Sequence, residues 1–181
     1  MAPPLASRTE FHPLIVARVD SLTDDSAAVT FDVPPGLADR FAFAPGQSVT
    51  VRRGDERRSY SICAAAGHLP RIGVREVAGG AVSGWLVHEV RAGDVIDVQA
   101  PSGSFTPDLD IPAHHVLLAA GSGITPVLSI AGSALAARGA GRLASVLCRT
   151  TGSFLSRTRQ PTRGLPSTTS AGSSRRTSGI R

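Results

Sequence analysis

Six short segments that favour β-strands fill residues 14–100, and their close spacing constrains the fold more than any other feature. They are LIVARVDSL (14–22), AAVTFDV (27–33), QSVTVRR (47–53), ERRSYSIC (56–63), RIGVREV (71–77) and DVIDVQA (94–100). They are rich in β-branched residues, and Gly54-Asp55 between the third and fourth is typical of a hairpin turn. Between the last two, VSGWLVHEV (82–90) has apolar residues at helical spacing. The pattern predicts a small, closed antiparallel barrel with one late helix.

The pattern changes at residue 111. HHVLLAA (114–120) is a continuous apolar run, which is typical of a parallel strand buried on both faces. GSGITP follows, then a predicted helix that ends at Gly139, and RLASVLC (142–148) can form the next strand. Strand, glycine turn, helix and strand are the opening of a βαβ unit. We therefore predict an N-terminal extension (1–11), a barrel domain (12–110), a partial α/β domain (111–152) and a tail (153–181).

The tail has no hydrophobic periodicity. From residue 150 to residue 181, 14 of 32 residues are serine or threonine, which is too polar to bury a core. Two explanations stay open: a native disordered segment, or a segment read out of frame after about residue 153. The second is our preferred hypothesis, because GC-rich codons for SRTR (156–159) encode Glu-Asp-Glu one base over.

The charge distribution argues against nucleic-acid binding. Residues 1–110 hold 10 arginines and all 14 acidic residues, whereas residues 111–181 hold 9 arginines and no acidic residue. The net charge of +5 therefore arises entirely from the back of the chain, which has almost no aromatic side chains to stack on bases. No apolar run approaches the roughly 20 residues of a membrane span, and the first residues do not resemble a signal peptide. We expect a cytoplasmic protein without a membrane segment.

No metal site is expected from the sequence. The two cysteines, Cys63 and Cys148, are far apart and lack the spacing of a zinc or iron–sulfur site. The adjacent histidines His114 and His115 have no suitably spaced third ligand, so we interpret them as the start of a strand.

Three motifs carry candidate binding chemistry, and the first is ERRSYSIC. Side chains alternate along a strand, so Arg58 and Tyr60 share one face. A guanidinium matches a diphosphate, and a tyrosine ring offers a stacking surface, which together suit a flavin dinucleotide. Ser61 could donate a hydrogen bond near the ring edge. The alternative is a surface arginine beside a packed tyrosine.

The other two motifs place glycines before a helix. In GGAVSGWL (79–86), Gly80 and Ser83 lie where free backbone N–H groups can bind phosphate, unless the segment is simply a capped helix. Ser83 can either cap the helix or offer its hydroxyl to the ligand, and Trp85 is expected in the core. In AAGSGITP (119–126), the third glycine of a dinucleotide fingerprint is missing, but the motif follows a strand and precedes a helix. Thr125 can donate its hydroxyl, and Pro126 is expected as the first helical residue.

In order and spacing, RSYS, GGAVS and GSGITP resemble the flavin, pyrophosphate and nicotinamide-nucleotide motifs of the ferredoxin–NADP reductase superfamily. The resemblance covers roughly residues 10–150. FHPLIVARVDSLTDDSAAVTFDVP and FAPGQSVTVRRGDERRSYSIC are most similar to the branch containing the reductase subunits of phenylacetyl-CoA epoxidase complexes. The resemblance implies a six-stranded antiparallel FAD-binding Greek-key barrel, followed by an incomplete parallel-sheet NAD(P)-binding domain.

The resemblance also implies roles for individual residues. Tyr60 would stack on the flavin and Ser61 would contact it near N5, which makes these two the candidate catalytic residues. The remaining candidates bind cofactor: Arg58, Gly80 and Ser83 at the FAD pyrophosphate, and Gly121, Gly123, Thr125, Pro126 and Arg149 at NADPH or NADH, with Arg149 as a candidate for the 2′-phosphate.

The implied function is an FAD-dependent NAD(P)H oxidoreductase that delivers electrons to the oxygenase of a phenylacetate-degrading complex. The branch carries a [2Fe–2S] domain with cysteines spaced C-x4-C-x2-C, and this sequence has no such cysteines. We therefore expect a truncated chain that binds FAD, is poorly reduced by NADPH and aggregates through an uncovered apolar sheet face. Two alternatives stay open: another flavin reductase or oxygenase electron-transfer subunit, or a non-catalytic flavin-binding fragment.

Overall fold

The computed structural model describes residues 10–109, 115–136 and 144–149, the last by their backbone. Its first part contains six strands and two helices. They are β1 (Phe11–Thr23), β2 (Ser26–Asp32), α1 (Ala38–Phe41), β3 (Ser48–Arg53), β4 (Glu56–Ser61), β5 (Arg71–Arg75), α2 (Ala81–His88) and β6 (Val95–Gln99). Every predicted strand of this region is present, and the predicted hairpin turn joins β3 to β4. The predicted tail, 153–181, lies outside the described residues, as does nearly all of the predicted extension.

The six strands form one antiparallel sheet in the order β4-β3-β6-β1-β2-β5. β1 is long enough to pair with β2 along one part of its length and with β6 along another. Beyond the end of β4, Ile62 bridges Ile72 of β5, which brings the two outer strands of the sheet together. The sheet therefore curves into the predicted small barrel.

The barrel core follows the alternation of side chains along the strands. In β3, Val49 and Val51 are fully buried, whereas Arg52 between them and the hairpin is exposed. Helix α2 packs its apolar side on the same core through Val82 and Leu86. Fully buried side chains of the core include Leu14, Val16, Val29, Phe31, Ile62, Ile72, Val90 and Ile96.

The second part is a two-stranded parallel sheet with one helix. β7 (His115–Ala120) leads through a 3₁₀ turn, Gly121–Gly123, into α3 (Ile124–Ala136), and β8 (Ala144–Arg149) pairs in parallel with β7. Pro126 is the third residue of α3 rather than the first, because the 3₁₀ turn starts the helix two residues earlier. Proline is tolerated there because the first turn of a helix has no acceptor for its N–H.

One expectation about β7 was wrong. Its apolar run predicted burial on both faces, but Val116 is 67% exposed and Leu118 is 71% exposed. Helix α3 packs against the two-stranded sheet, and among the described residues nothing covers the side chains of the opposite face. The expectation of an uncovered apolar face agrees with this arrangement. No helix in the described ranges is both long and apolar enough to cross a bilayer.

Candidate functional site

A cleft of about 390 Å³ lies between strand β4 and the start of helix α2. One wall is formed by residues 58–60 of β4, and the other by the segment that runs from the end of β5 into α2. The fold brings these walls together because β4 and β5 meet at the closure of the barrel and α2 follows β5 directly. We call this the β4–α2 cleft.

Two arginines line the β4–α2 cleft. Arg58 forms an ion pair with Glu56 at 3.1 Å and donates to the backbone carbonyl of Arg57 at 2.8 Å. Arg75 forms an ion pair with Asp25 at 2.7 Å. A guanidinium has five N–H donors, and within the described residues these contacts use only some of them. Both side chains are largely exposed, so the cleft presents two cations to an anionic ligand.

Tyr60 lies on the same face of β4 as Arg58, as the alternation predicts, and pairs in register with buried Val49. Half-burial raises the pKa of the Tyr60 phenol, although the positive charge of Arg58 acts in the opposite direction. The ring is therefore an uncharged wall at neutral pH. Ser61, the next residue, falls on the opposite face by alternation and is not among the residues that line the cleft.

The start of α2 forms the floor of the cleft. Gly80 is the N-cap residue, and its N–H donates to Val77 O at 2.7 Å. The N–H groups of the first three helical residues, 81–83, have no acceptor inside the helix, and the helix dipole makes this end attractive to anions. Gly79 has a φ of +73°, which favours glycine at this position.

Ser83 has a different role from the two that the sequence suggested. It is not the N-cap residue, and although it lines the cleft its side chain is buried and hydrogen-bonded within the protein. Its hydroxyl accepts a hydrogen bond from Val77 N–H at 3.1 Å and donates to Gly80 O at 3.2 Å. The hydroxyl therefore holds the 77–80 loop in shape, and the loop in turn presents the helix N–H groups.

The glycine turn, Gly121–Gly123, lies at the carboxyl end of β7. Gly121 has a φ of +56°, and Thr125 Oγ1 donates to Ser122 O at 2.8 Å. Gly121 and Ser122 are exposed, whereas Gly123, Thr125 and Pro126 are half-buried. Arg149 pairs in register with Ala120 at the end of β8, so its backbone lies beside the turn. Apart from Ser61, the predicted site residues therefore lie either in the cleft or at this turn.

Several residues of the cleft region were not predicted from the sequence. Arg75 and Gly79 line the cleft, and a second groove of about 280 Å³ adjoins it across Gly79 and Gly80. In that groove the Arg53 guanidinium lies 5.2 Å from the centre of the Trp85 ring and donates to Ala81 O at 2.9 Å. Trp85 is half-buried and lines this groove, so only part of it belongs to the expected core. Side chains alternate along β5, so Arg71 and Arg75 fall on the face opposite buried Ile72 and Val74. This alternation is the sequence pattern that could have identified Arg75.

Neither groove contains a metal-binding arrangement. In the ranges that the structure describes, no group of three or more His, Cys, Asp or Glu side chains could hold a metal ion. Cys63 is half-buried, and burial raises the pKa of its thiol, which donates to Arg71 O at 3.3 Å. The thiol is therefore protonated at neutral pH.

Comparison with known proteins identifies the family of this chain. Residues 13–106 match the family of oxidoreductase FAD-binding domains. The chain is 38% identical over 136 residues to one subunit of the 1,2-phenylacetyl-CoA epoxidase of Escherichia coli K12, covering 70% of this chain and 38% of that protein. It is 40% identical over 139 residues to the ferredoxin reductase component of a Mycobacterium tuberculosis 3-ketosteroid-9-alpha-monooxygenase, again covering 70% and 38%.

Among solved structures, the chain is similar to phthalate dioxygenase reductase, with a TM-score of 0.65 and 27% identity. The match covers 77% of this chain and 44% of that structure, so the chain spans less than half the length of these relatives. The chain belongs to the family of oxidoreductase FAD-binding domains and has the fold of the ferredoxin reductases.

Proposed function

We propose that this chain binds FAD in the β4–α2 cleft and transfers electrons from a reduced pyridine nucleotide toward an oxygenase component. The observation that carries the proposal is the meeting of Arg58, Tyr60 and the α2 N-terminus in one cleft. The cleft residues would hold FAD, which would supply hydride acceptance from the nicotinamide and the release of single electrons. The division into a barrel (12–110) and a nucleotide part (111–152) belongs to this proposal.

The residues of the cleft suit the parts of FAD. Arg58 and Arg75 supply positive charge for the pyrophosphate, and the N–H groups after Gly80 supply neutral donors. Tyr60 offers a flat, uncharged surface to the isoalloxazine ring, since its raised pKa keeps the phenol protonated. Ser83 contributes indirectly, by holding the loop that positions those N–H groups.

The glycine turn suits a pyridine nucleotide. Gly121 and Gly123 allow a phosphate to approach the backbone, and Thr125 orders the turn through its bond to Ser122. Pro126 stiffens the first turn of α3. The position of Arg149 at the end of β8 makes it a candidate for the 2′-phosphate that distinguishes NADPH from NADH. The preference for NADPH rests on the resemblance alone.

The oxygenase partner is proposed from the relatives. A phenylacetyl-CoA epoxidase role in phenylacetate catabolism is the first choice, and a steroid monooxygenase reductase is a relative of similar identity. A [2Fe–2S] cluster takes four protein ligands, and the 181 residues contain two cysteines. These residues do not fit the cluster. We therefore propose FAD as the last electron carrier within this chain.

A second candidate is a flavin-binding module that a pyridine nucleotide does not reduce. It is favoured by the exposure of Val116 and Leu118, because a nucleotide site built on a sheet that is covered on one face is poorly supported.

The test is a titration of the purified chain with FAD, followed by flavin fluorescence. Binding should quench the fluorescence. Arg58→Ala should weaken binding about tenfold or more, since a charged hydrogen bond is worth about 1.5–3 kcal/mol, and Tyr60→Ala should weaken binding because the stacking surface is lost. Arg18→Ala is the matched control, because Arg18 is an exposed, ion-paired arginine on β1 outside the cleft. Equal affinity in all four proteins would refute the assignment of the cleft.

Anaerobic addition of NADPH, and separately of NADH, then distinguishes the two candidates. Loss of the oxidised flavin absorbance supports the reductase, and the faster nucleotide identifies the electron donor. A bound flavin that neither nucleotide bleaches supports the flavin-binding module instead.

A further inference from the structure

Two buried serine side chains of helix α3 form hydrogen bonds with the barrel. Ser129 Oγ donates to Ala64 O at 2.6 Å, and Ser133 Oγ accepts from Ala66 N–H at 2.8 Å. Ser133 Oγ also donates to Ser129 O at 2.7 Å, and the two serines are 0% and 5% exposed. The serine side chains are buried and the two bonds to the barrel are part-buried, so the helix has little freedom to slide along the barrel.

The same helix touches β5 at its first turn. A Cβ added at Gly73 would lie 2.9 Å from the Thr125 methyl carbon, which is closer than real carbon atoms approach each other. Gly73 is two residues before Arg75, which lines the β4–α2 cleft. Thr125 is also the residue that bonds Ser122 and so orders the glycine turn. Strand β5, which carries Arg75 into the cleft, is therefore packed at Gly73 against the residue that orders the glycine turn.

We propose that the contact between Gly73 and Thr125 positions the glycine turn for the pyridine nucleotide, which makes Gly73 a positioning residue. The inference rests on the proposed function. A Cβ at position 73 collides with the Thr125 methyl, and α3 has little room to retreat, because Ser129 holds the helix about one turn later. The displacement is passed to the glycine turn, which Thr125 orders through its bond to Ser122.

A double-mutant cycle tests this contact. The variants are Gly73→Ala, Thr125→Ser and the double variant, since serine keeps the hydroxyl that bonds Ser122 and removes the methyl that collides. Three quantities are measured: FAD affinity by fluorescence, NADP⁺ affinity by the change in the absorbance of bound flavin, and stability by urea unfolding. Gly36→Ala is the control, because a Cβ at Gly36 has no neighbour within 4 Å.

Gly73→Ala should weaken NADP⁺ binding roughly tenfold while FAD affinity stays within about twofold, because small displacements at such sites have large effects. The effect of Thr125→Ser alone is subtracted in the cycle, and the double variant should regain most of the loss caused by alanine. Ser129→Ala, which adds no volume and removes one anchor of α3, should also weaken NADP⁺ binding and leave FAD binding intact.

The outcomes separate the two proposals. Wild-type protein that fails to bind FAD, or whose bound flavin does not respond to NADP⁺, refutes the proposed function and the inference with it. A normal wild-type response with unchanged NADP⁺ affinity in Gly73→Ala and Ser129→Ala overturns the inference alone. So does a double variant that recovers stability without recovering NADP⁺ affinity, since the contact is then merely structural. If Gly73→Ala does not fold, Ser129→Ala decides the question by the same measurements.

Discussion

Replacement of Gly80 by alanine should distort the 77–80 loop and lower the free energy of unfolding. A Cβ at this position would lie 2.5 Å from Ser83 Oγ and 3.0 Å from Val77 O. The nearer contact forces the Ser83 hydroxyl out of its place, where it makes hydrogen bonds with Val77 N–H and Gly80 O. Each bond contributes about 1 kcal/mol, and a donor left unpaired adds to the loss. We expect Gly80→Ala to lower the free energy of unfolding by about 2–3 kcal/mol.

Urea unfolding measures this loss, and the fluorescence of Trp85, the chain's single tryptophan, reports on the same helix. FAD affinity should fall as well, because the loop no longer presents the helix N–H groups. Gly84→Ala is the matched control within α2: its Cβ would meet Glu76 Oε1 at an acceptable 3.4 Å, so alanine should stabilise the helix by about 0.5–1 kcal/mol.

The reasoning is further tested by combining Gly80→Ala with Ser83→Ala. The second change removes the colliding oxygen, so the double variant should lose less stability than the sum of the two single variants. A change of under about 0.5 kcal/mol in Gly80→Ala, or strict additivity in the double variant, would refute the collision as the cause.

Three further predictions concern the core, the pH dependence and the exposed sheet. Phe31→Ala should cost about 3–5 kcal/mol in urea unfolding because Phe31 is fully buried; a loss below about 1 kcal/mol would contradict the core assignment. The raised pKa of Tyr60 favours the neutral phenol in the folded state, so stability should fall as the pH rises from about 10, the unfolded value, toward the raised one. Tyr60→Phe should lack this loss, and an identical pH profile in both proteins would count against it. Val116→Thr combined with Leu118→Gln should reduce self-association in light scattering with little change in stability, since both side chains are exposed; unchanged scattering would show that another surface associates.

The fold was largely predictable because its signals are local. The alternation of apolar side chains in β3, the glycine at the β3–β4 turn and the helical period of α2 all depend on neighbours within a few residues. The prediction that β7 is buried on both faces was wrong for one face, because burial depends on elements that are distant in the sequence. An apolar run indicates that a strand can be buried, but burial of Val116 and Leu118 requires other elements to cover them.

The candidate site was predictable only in part. Alternation along one strand was enough to place Arg58 and Tyr60 on the same face. Arg75 was missed because it reaches the cleft only when the barrel closes and brings together β4 and β5, which lie at opposite ends of the sheet. Ser83 was assigned to a cap or a ligand, and its hydroxyl instead binds the loop around Val77, a geometry that no sequence spacing reports.

The sequence by itself determined the strand order along the chain, the turn positions, the placement of the three motifs and the family they resemble. These follow from periodicity, from the conformations that glycine allows and from the chemistry of single side chains. Only the tertiary structure decided how the motifs relate in space: that the 77–80 loop is tied by Ser83, that Arg75 joins Arg58, and that Thr125 packs on Gly73. Such contacts join residues that become neighbours only after the barrel has closed, so no local sequence pattern predicts them.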